Sequence, residues 1–274
     1  MKDFSQYKNL IKKSPFDKRD IKFRSVYPVI TLPVQTNNRE YMLKARDQGN
    51  QGACAAFAGA GMQQYKDTKE INLSEYLSPQ FIYNNREDLN EEGMYNRDLM
   101  KIIQKQGVCL EKLYPYNTFK PPTIGAVENA LNHRHNNYAQ VETLEELKAA
   151  LYIKGPCVIA VPVYNFTTRM WYQRPGDNFL GGHDMLAVDY DDNERVIYIL
   201  NSWGDDFGEE GYIKMSYDDF HLAWEWWSSV DLQSQTTTQH PFTTQEPPKP
   251  WIKKYWWFLL LLAGFITVGL ILIL

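Results

Sequence analysis

The chain has 274 residues, an ordinary hydrophobic fraction of 44%, a charged fraction of 23% and a formal net charge of −4. That length suffices for one large domain or two lobes around a substantial core. No basic stripe with interleaved aromatics occurs, so nucleic acid is not an expected partner. Three cysteines, Cys54, Cys109 and Cys157, with no C-x-x-C pair, offer neither a disulfide framework nor a zinc knuckle, and no metal is expected. Residues 1–9 lack the apolar run of a signal peptide. Both features point to a reducing, cytosolic setting.

Residues 1–31 are polar and lysine-rich with short apolar breaks, and read as a surface-hugging N-terminal arm. The stretch Arg46 to Ala58 is a glycine-rich turn feeding a helix, with Cys54 at the junction. Phe57, Ala58, Gly61, Met62 and Tyr65 then recur at helical spacing. Ser78-Pro79 reads as an N-cap and first helical residue, with Phe81, Ile82 and Leu89 on the buried side. Asn96 reads as the cap of a third helix that Gly107 ends. Thr143 and Glu146 make a capping box for a fourth, which Gly155-Pro156 stops.

From Cys157 the period changes. Residues 157–163 form a short apolar run, best read as a buried strand. Residues 184–190 and 195–200 are β-rich and joined by a polar turn, and residues 211–217 form a further strand. Helices first and strands later indicate an α+β domain with a helical half and a sheet half.

Residues 233–254 are a Thr-, Gln- and Pro-rich linker with a juxtamembrane segment. Residues 256–274 carry no charged side chain, and 255–274 would span roughly 30 Å as a helix, the thickness of a bilayer's hydrocarbon core. Trp251, Tyr255, Trp256 and Trp257 suit the interface, and Lys249, Lys253 and Lys254 precede the apolar run. A transmembrane helix with the domain 32–232 on the cytosolic side is expected, anchored in the lipid bilayer by its tail. A sequon at Asn165 would then stay bare.

A thiol at a helix N-terminus sits where unpaired N–H groups and the helix dipole favour thiolate. Gln48 offers a side-chain amide beside it. Among five histidines, His183 alone follows two glycines and opens a buried strand. Taken alone, a histidine there is structural more often than catalytic. Asn201, at the end of the neighbouring strand, can accept the imidazole N–H, and Trp203 can shield that bond from water.

Together these parts resemble the papain-like cysteine proteases, the cathepsin family. Gln48-Gly49 and Gly52-Ala53-Cys54 follow that family's Gln-Gly-x-Cys-Gly-Ser-Cys-Trp signature, Gly182-His183 its base segment, and Asn201-Ser202-Trp203-Gly204 its third motif. His183 and Asn201 lie 129 and 147 residues beyond Cys54, against about 130–150 in that family. The resemblance covers residues 32–232 and is closest in form to the proteases of large DNA viruses.

The resemblance implies a two-lobed papain-like fold and a peptidase without cofactor, acting on protein or peptide substrates. Cys54 would be the nucleophile, His183 the base, Asn201 its orienter, Gln48 an oxyanion donor and Trp203 the cleft-shielding aromatic. The sequence departs from the pattern at Gln51, where a second cysteine is usual, and at Ala55, where a tryptophan is. Asp184 replaces a small residue after the base. Its side chain should point to the opposite face of the strand, with little harm. The arm is too short to act as the family's helical propeptide, which leaves the control of activity without an explanation. A catalytically inactive fold serving as a membrane-anchored binding module is the alternative.

Overall fold

The computed structural model describes residues 3–27 and 29–231. The linker and the expected membrane span lie outside the described residues. Among those described, no helix is long and apolar enough to cross a membrane.

The helical half is built around α1, Cys54–Ile71. Its small residues let neighbours come close: a Cβ on Gly59 would lie 2.4 Å from Leu99 Cδ1. Asn72 closes α1 in the left-handed region. Around it pack α2 (Pro79–Asn84) and α3 (Asn96–Lys105), while α4 (Ile124–Ala130) joins Phe81 of α2 in a separate apolar cluster. Ser78 caps α2 as its sequence indicates, the hydroxyl accepting from Phe81 N at 3.1 Å. Leu89 lies beyond that helix and is exposed, not buried, because α2 ends five residues earlier. Asn96 is the first helical residue of α3 rather than its cap, and its side chain is committed elsewhere.

The sheet half is one six-stranded antiparallel sheet made of β1 (Asn137–Val141), β2 (Cys157–Val163), β3 (Gly181–Asp191), β4 (Val196–Leu200), β5 (Tyr212–Ser216) and β6 (Glu225–Val230), in the order β1-β6-β2-β3-β4-β5. Helix α5 (Leu144–Ile153) packs on it, its first turn capped by Thr143 Oγ1 accepting from Glu146 N at 3.1 Å. The reciprocal bond of Glu146 falls on Glu142 N, one residue upstream of the cap.

Successive side chains of a strand face opposite sides, and β2 and β3 use both. Ile159, Val161, Met185 and Ala187 join one apolar cluster. Val158, Ala160, Leu186 and Val188 join the other, shared with α1. The two strands are therefore the wall between the halves.

Two residues before β2, the turn tolerates no side chain. Gly155 has φ +95°, and a Cβ there would sit 2.0 Å from Tyr65 Cε1. The Tyr65 ring cannot step aside freely, because its hydroxyl donates to buried Asn38. Gly155→Ala is expected to destabilise the domain by about 2–4 kcal/mol, read as a lowered urea midpoint. An unchanged midpoint would mean that α1 shifts at little cost.

Candidate active site

Cys54 opens α1 and is fully buried. His183 lies on β3 and is also fully buried, with its Nε2 2.7 Å from Asn201 Oδ1. The backbone N–H of Ser202 donates to the same oxygen at 2.8 Å, which identifies it as the carbonyl end of the amide. The proton of a neutral imidazole therefore sits on Nε2, and Nδ1 keeps its lone pair. Nδ1 is buried with no hydrogen-bond partner among the described residues.

The Trp203 ring lies over His183, centroids 4.8 Å apart. It is wholly buried. Gln48 is tied to the same turn. Its backbone N donates to Ser202 O at 2.8 Å and its Oε1 accepts from Ser202 Oγ at 2.7 Å. Its amide nitrogen is thereby turned to Gln51 O, 3.0 Å away in the loop before Cys54. All five residues singled out by sequence thus meet along the line between the two halves. Among the described residues no group of three or more His, Cys, Asp or Glu side chains could hold a metal ion.

The N-terminal arm does more than hug the surface: it runs through this site. The rings of Tyr7 and Trp203 stack with centroids 5.2 Å apart, and the Tyr7 hydroxyl donates to Asp47 at 2.8 Å. Ile11 N donates to Gly182 O at 3.0 Å, immediately before His183. On the helical side a Cβ on Gly93 would lie 2.0 Å from Leu10 O, and one on Gly52 would lie 2.9 Å from Leu10 Cδ1. Gly93 allows close backbone approach, and Gly52 leaves room for the Leu10 side chain. Outside the cleft Lys8 pairs with Glu92 at 2.6 Å, Lys12 with Glu91, and Arg97 with Asp20 at 2.6 Å. A short segment therefore covers Cys54 and His183 without a helical domain of its own.

Burial sets the protonation of the covered pair. It pushes the Cys54 thiol well up, with the charge of Asp184 as the second cause. It also pushes His183 down to about 4, against a smaller opposing effect of the Asn201 bond. Burial thus favours the neutral form of both groups in this covered arrangement.

Asp184 does point away from His183, but its position is consequential. It shares the strand face of Leu186 and Val188, looks toward the helical half, and accepts from Asn96 Nδ2 at 3.0 Å. Sequence reasoning missed three contributors to the site, namely Ile11 of the arm, Asn96 and Glu225. The only local signal was Asp184 itself, a carboxylate in an otherwise apolar strand.

The fold and this arrangement define a two-lobed thiol protease class, with a helical lobe and a β-sheet lobe meeting at a cleft. The chain belongs to the papain family of cysteine proteases, whose domain matches residues 32–243. A peptidase C1-like protein of Acanthamoeba polyphaga mimivirus is 28% identical over 228 residues, covering 73% of this chain and 71% of that protein. A viral cathepsin of Mamestra configurata nucleopolyhedrovirus is 30% identical over 188 residues, covering 65% of this chain and 55% of the viral protein. Against the cathepsin L-like peptidase of Aedes aegypti the chain spans 54% of that relative's length. Among solved structures, xylellain, a cysteine protease from Xylella fastidiosa, is 27% identical with a TM-score of 0.71, over 84% of this chain and 99% of that one.

Proposed function

We propose that this chain is a cysteine endopeptidase held shut by its own N-terminal arm and carried on a membrane by residues 255–274. The observation that carries the chemistry is the His183–Asn201 bond of 2.7 Å beneath Trp203, which leaves Nδ1 as the free base. Once the arm leaves, water returns, the helix N-terminus favours thiolate at Cys54, and the thiol's proton passes to His183 Nδ1. Cys54 attacks the peptide carbonyl, forming a thioester and releasing the amine, which takes its proton from His183. Water, deprotonated by His183, then splits the thioester. Gln48 Nε2 and the Cys54 backbone N–H are the donors offered to the oxyanion. The uncharged run 256–274 behind a basic, aromatic segment supports the membrane reading.

In the full chain carrying Ile11→Asp, which frees the arm, a peptidyl epoxide should label Cys54, and adding Cys54→Ala should lose both labelling and peptide cleavage. Unchanged cleavage by that variant would sink the proposal. Folded protein that is never labelled would favour the inactive binding module, a reading to which the buried, neutral thiol lends support. Membrane-pellet retention that survives deletion of 255–274 would remove the anchor from the proposal.

A further inference from the structure

The loop between Gln48 and Cys54 is fastened at one carbonyl. Gln51 O accepts from Gln48 Nε2 at 3.0 Å and from the backbone N of Ala53 at 2.8 Å. The first bond aims the side-chain amide, and the second shapes the chain immediately before Cys54. An amide nitrogen carries two hydrogens, so the bond to Gln51 O leaves one N–H of Gln48 for a ligand.

The Gln51 side chain is itself held. Its Nε2 donates to Gln80 Oε1 and to Asn117 Oδ1, each at 3.3 Å, and its Oε1 accepts from Gln80 Nε2 at 3.1 Å. The two glutamines thus form a reciprocal amide pair. The main chain decides which end of each is oxygen. The backbone N of Asn117 donates to Gln80 Oε1 at 2.8 Å, so that atom is an acceptor and Gln80 Nε2 faces Gln51 Oε1. Gln80 Nε2 gives its other hydrogen to Asn84 Oδ1, 2.8 Å away. The Gln80 amide, wholly buried on α2, is therefore fully matched.

A neighbouring residue reaches the other end of the loop. The Tyr116 hydroxyl donates to Gln48 O at 2.7 Å, and its ring meets Phe57 of α1 edge-on with centroids 4.8 Å apart. Asn117 follows in the left-handed region at φ +62°, which asparagine tolerates better than most side chains. Residues 116 and 117 thus tie down Gln48 and Gln51 respectively.

We propose that Gln51 is a positioning residue for the oxyanion site, its amide pair with Gln80 keeping the Gln51 carbonyl where it aims Gln48 Nε2. The loop needs such a tie. Gly49 and Gly52 bracket Gln51, and glycines leave the intervening peptides free to turn. A donor to a developing oxyanion is effective in proportion to how little it must reorient during the reaction. Ser202 fixes the oxygen end of the Gln48 amide at 2.7 Å, and the Gln51 carbonyl fixes the nitrogen end. Gln51 touches no reacting atom and acts through Gln48.

This inference rests on the peptidase reading. Its test takes the full chain carrying Ile11→Asp as parent and adds Gln51→Ala, Gln51→Met, Gln48→Ala, and Gln48→Ala with Gln51→Ala. Methionine keeps the length of glutamine without its hydrogen bonds, which separates packing from bonding. Gln51→Ala and Gln51→Met should each lower kcat about tenfold and change KM less than about twofold. Gln48→Ala should lower kcat on the order of a hundredfold. In the Gln48→Ala chain, Gln51→Ala should cost less than about twofold more, because the amide it aims is gone. A purely structural role would cost the same factor with or without Gln48. Parent kcat in Gln51→Met, a loss confined to KM, an undiminished loss in the Gln48→Ala chain, or an unchanged kcat in Gln48→Ala itself overturns the positioning role and leaves the peptidase intact. If the parent cleaves no peptide and Cys54 is not labelled, the peptidase reading falls and the positioning role with it.

Discussion

Ile11→Asp is expected to raise peptide cleavage by the full chain on the order of a hundredfold. Ile11 is 4% exposed, held by its backbone bond to Gly182 and packed in the cluster shared by both lobes. An aspartate there would bury a carboxylate with no cation beside it, close to Asp184 and Glu225. Leaving such a charge unpaired costs several kcal/mol, and about 2.8 kcal/mol suffices to shift a covering equilibrium a hundredfold. The remaining arm contacts resist weakly, because exposed lysine–glutamate pairs such as Lys8–Glu92 contribute about 0–1 kcal/mol each. The measurement is kcat/KM on one peptide for the wild type, Ile11→Leu and Ile11→Asp, with the alkylation rate of Cys54 alongside. Equal values for all three would mean that the arm does not gate the site.

The second large effect is the loss of the base. In the Ile11→Asp chain, His183→Ala should lower kcat by on the order of ten-thousandfold or more, with the fold unchanged. Cleavage within tenfold of the parent would remove His183 from the mechanism. The same side chain reports the covered state. Its imidazole should titrate near 4 in the full chain, as burial dictates, and move toward 6.5 when the arm is released, a shift that NMR of the ring can follow. The sign follows from linkage. A base whose pKa is depressed by covering contributes its full share of covering stability above pH 6.5, and that share is lost as pH falls toward 4. Asp184 and Glu225, whose pKa values are raised, act oppositely and weaken the covered state as pH rises.

Much of this site was legible because its chemistry is local. A glycine turn before Cys54, two glycines before His183 and Asn201 at a strand end each place a side chain through the backbone around it. The apolar runs of β2, β3 and β4 declared themselves in the same way. The rest depends on pairings between distant segments. Strands β1 and β6 pair with each other and bring residues 137 and 230 together, a contact with no local period. Asn96 has the form of a helix cap, and only the approach of β3 turns its amide to Asp184. The arm is the extreme case. Leu10 and Ile11 among lysines read as a solvated segment until Gly52, Gly93 and Gly182 supply a groove into which they fit. The sequence leaves the control of activity without an explanation for that reason: the arm borrows the cleft's backbone instead of folding by itself.

The arm's covalent attachment has a quantitative consequence. A segment joined to its own binding groove is present there at an effective concentration on the order of millimolar. Contacts too weak to hold a free peptide can therefore keep the cleft occupied, and raising the protein's concentration neither tightens nor loosens the seal. A detached peptide of the same sequence competes poorly with the resident copy. Exchange at the cleft is governed by the opening of one molecule, so the device sets a waiting time rather than a threshold.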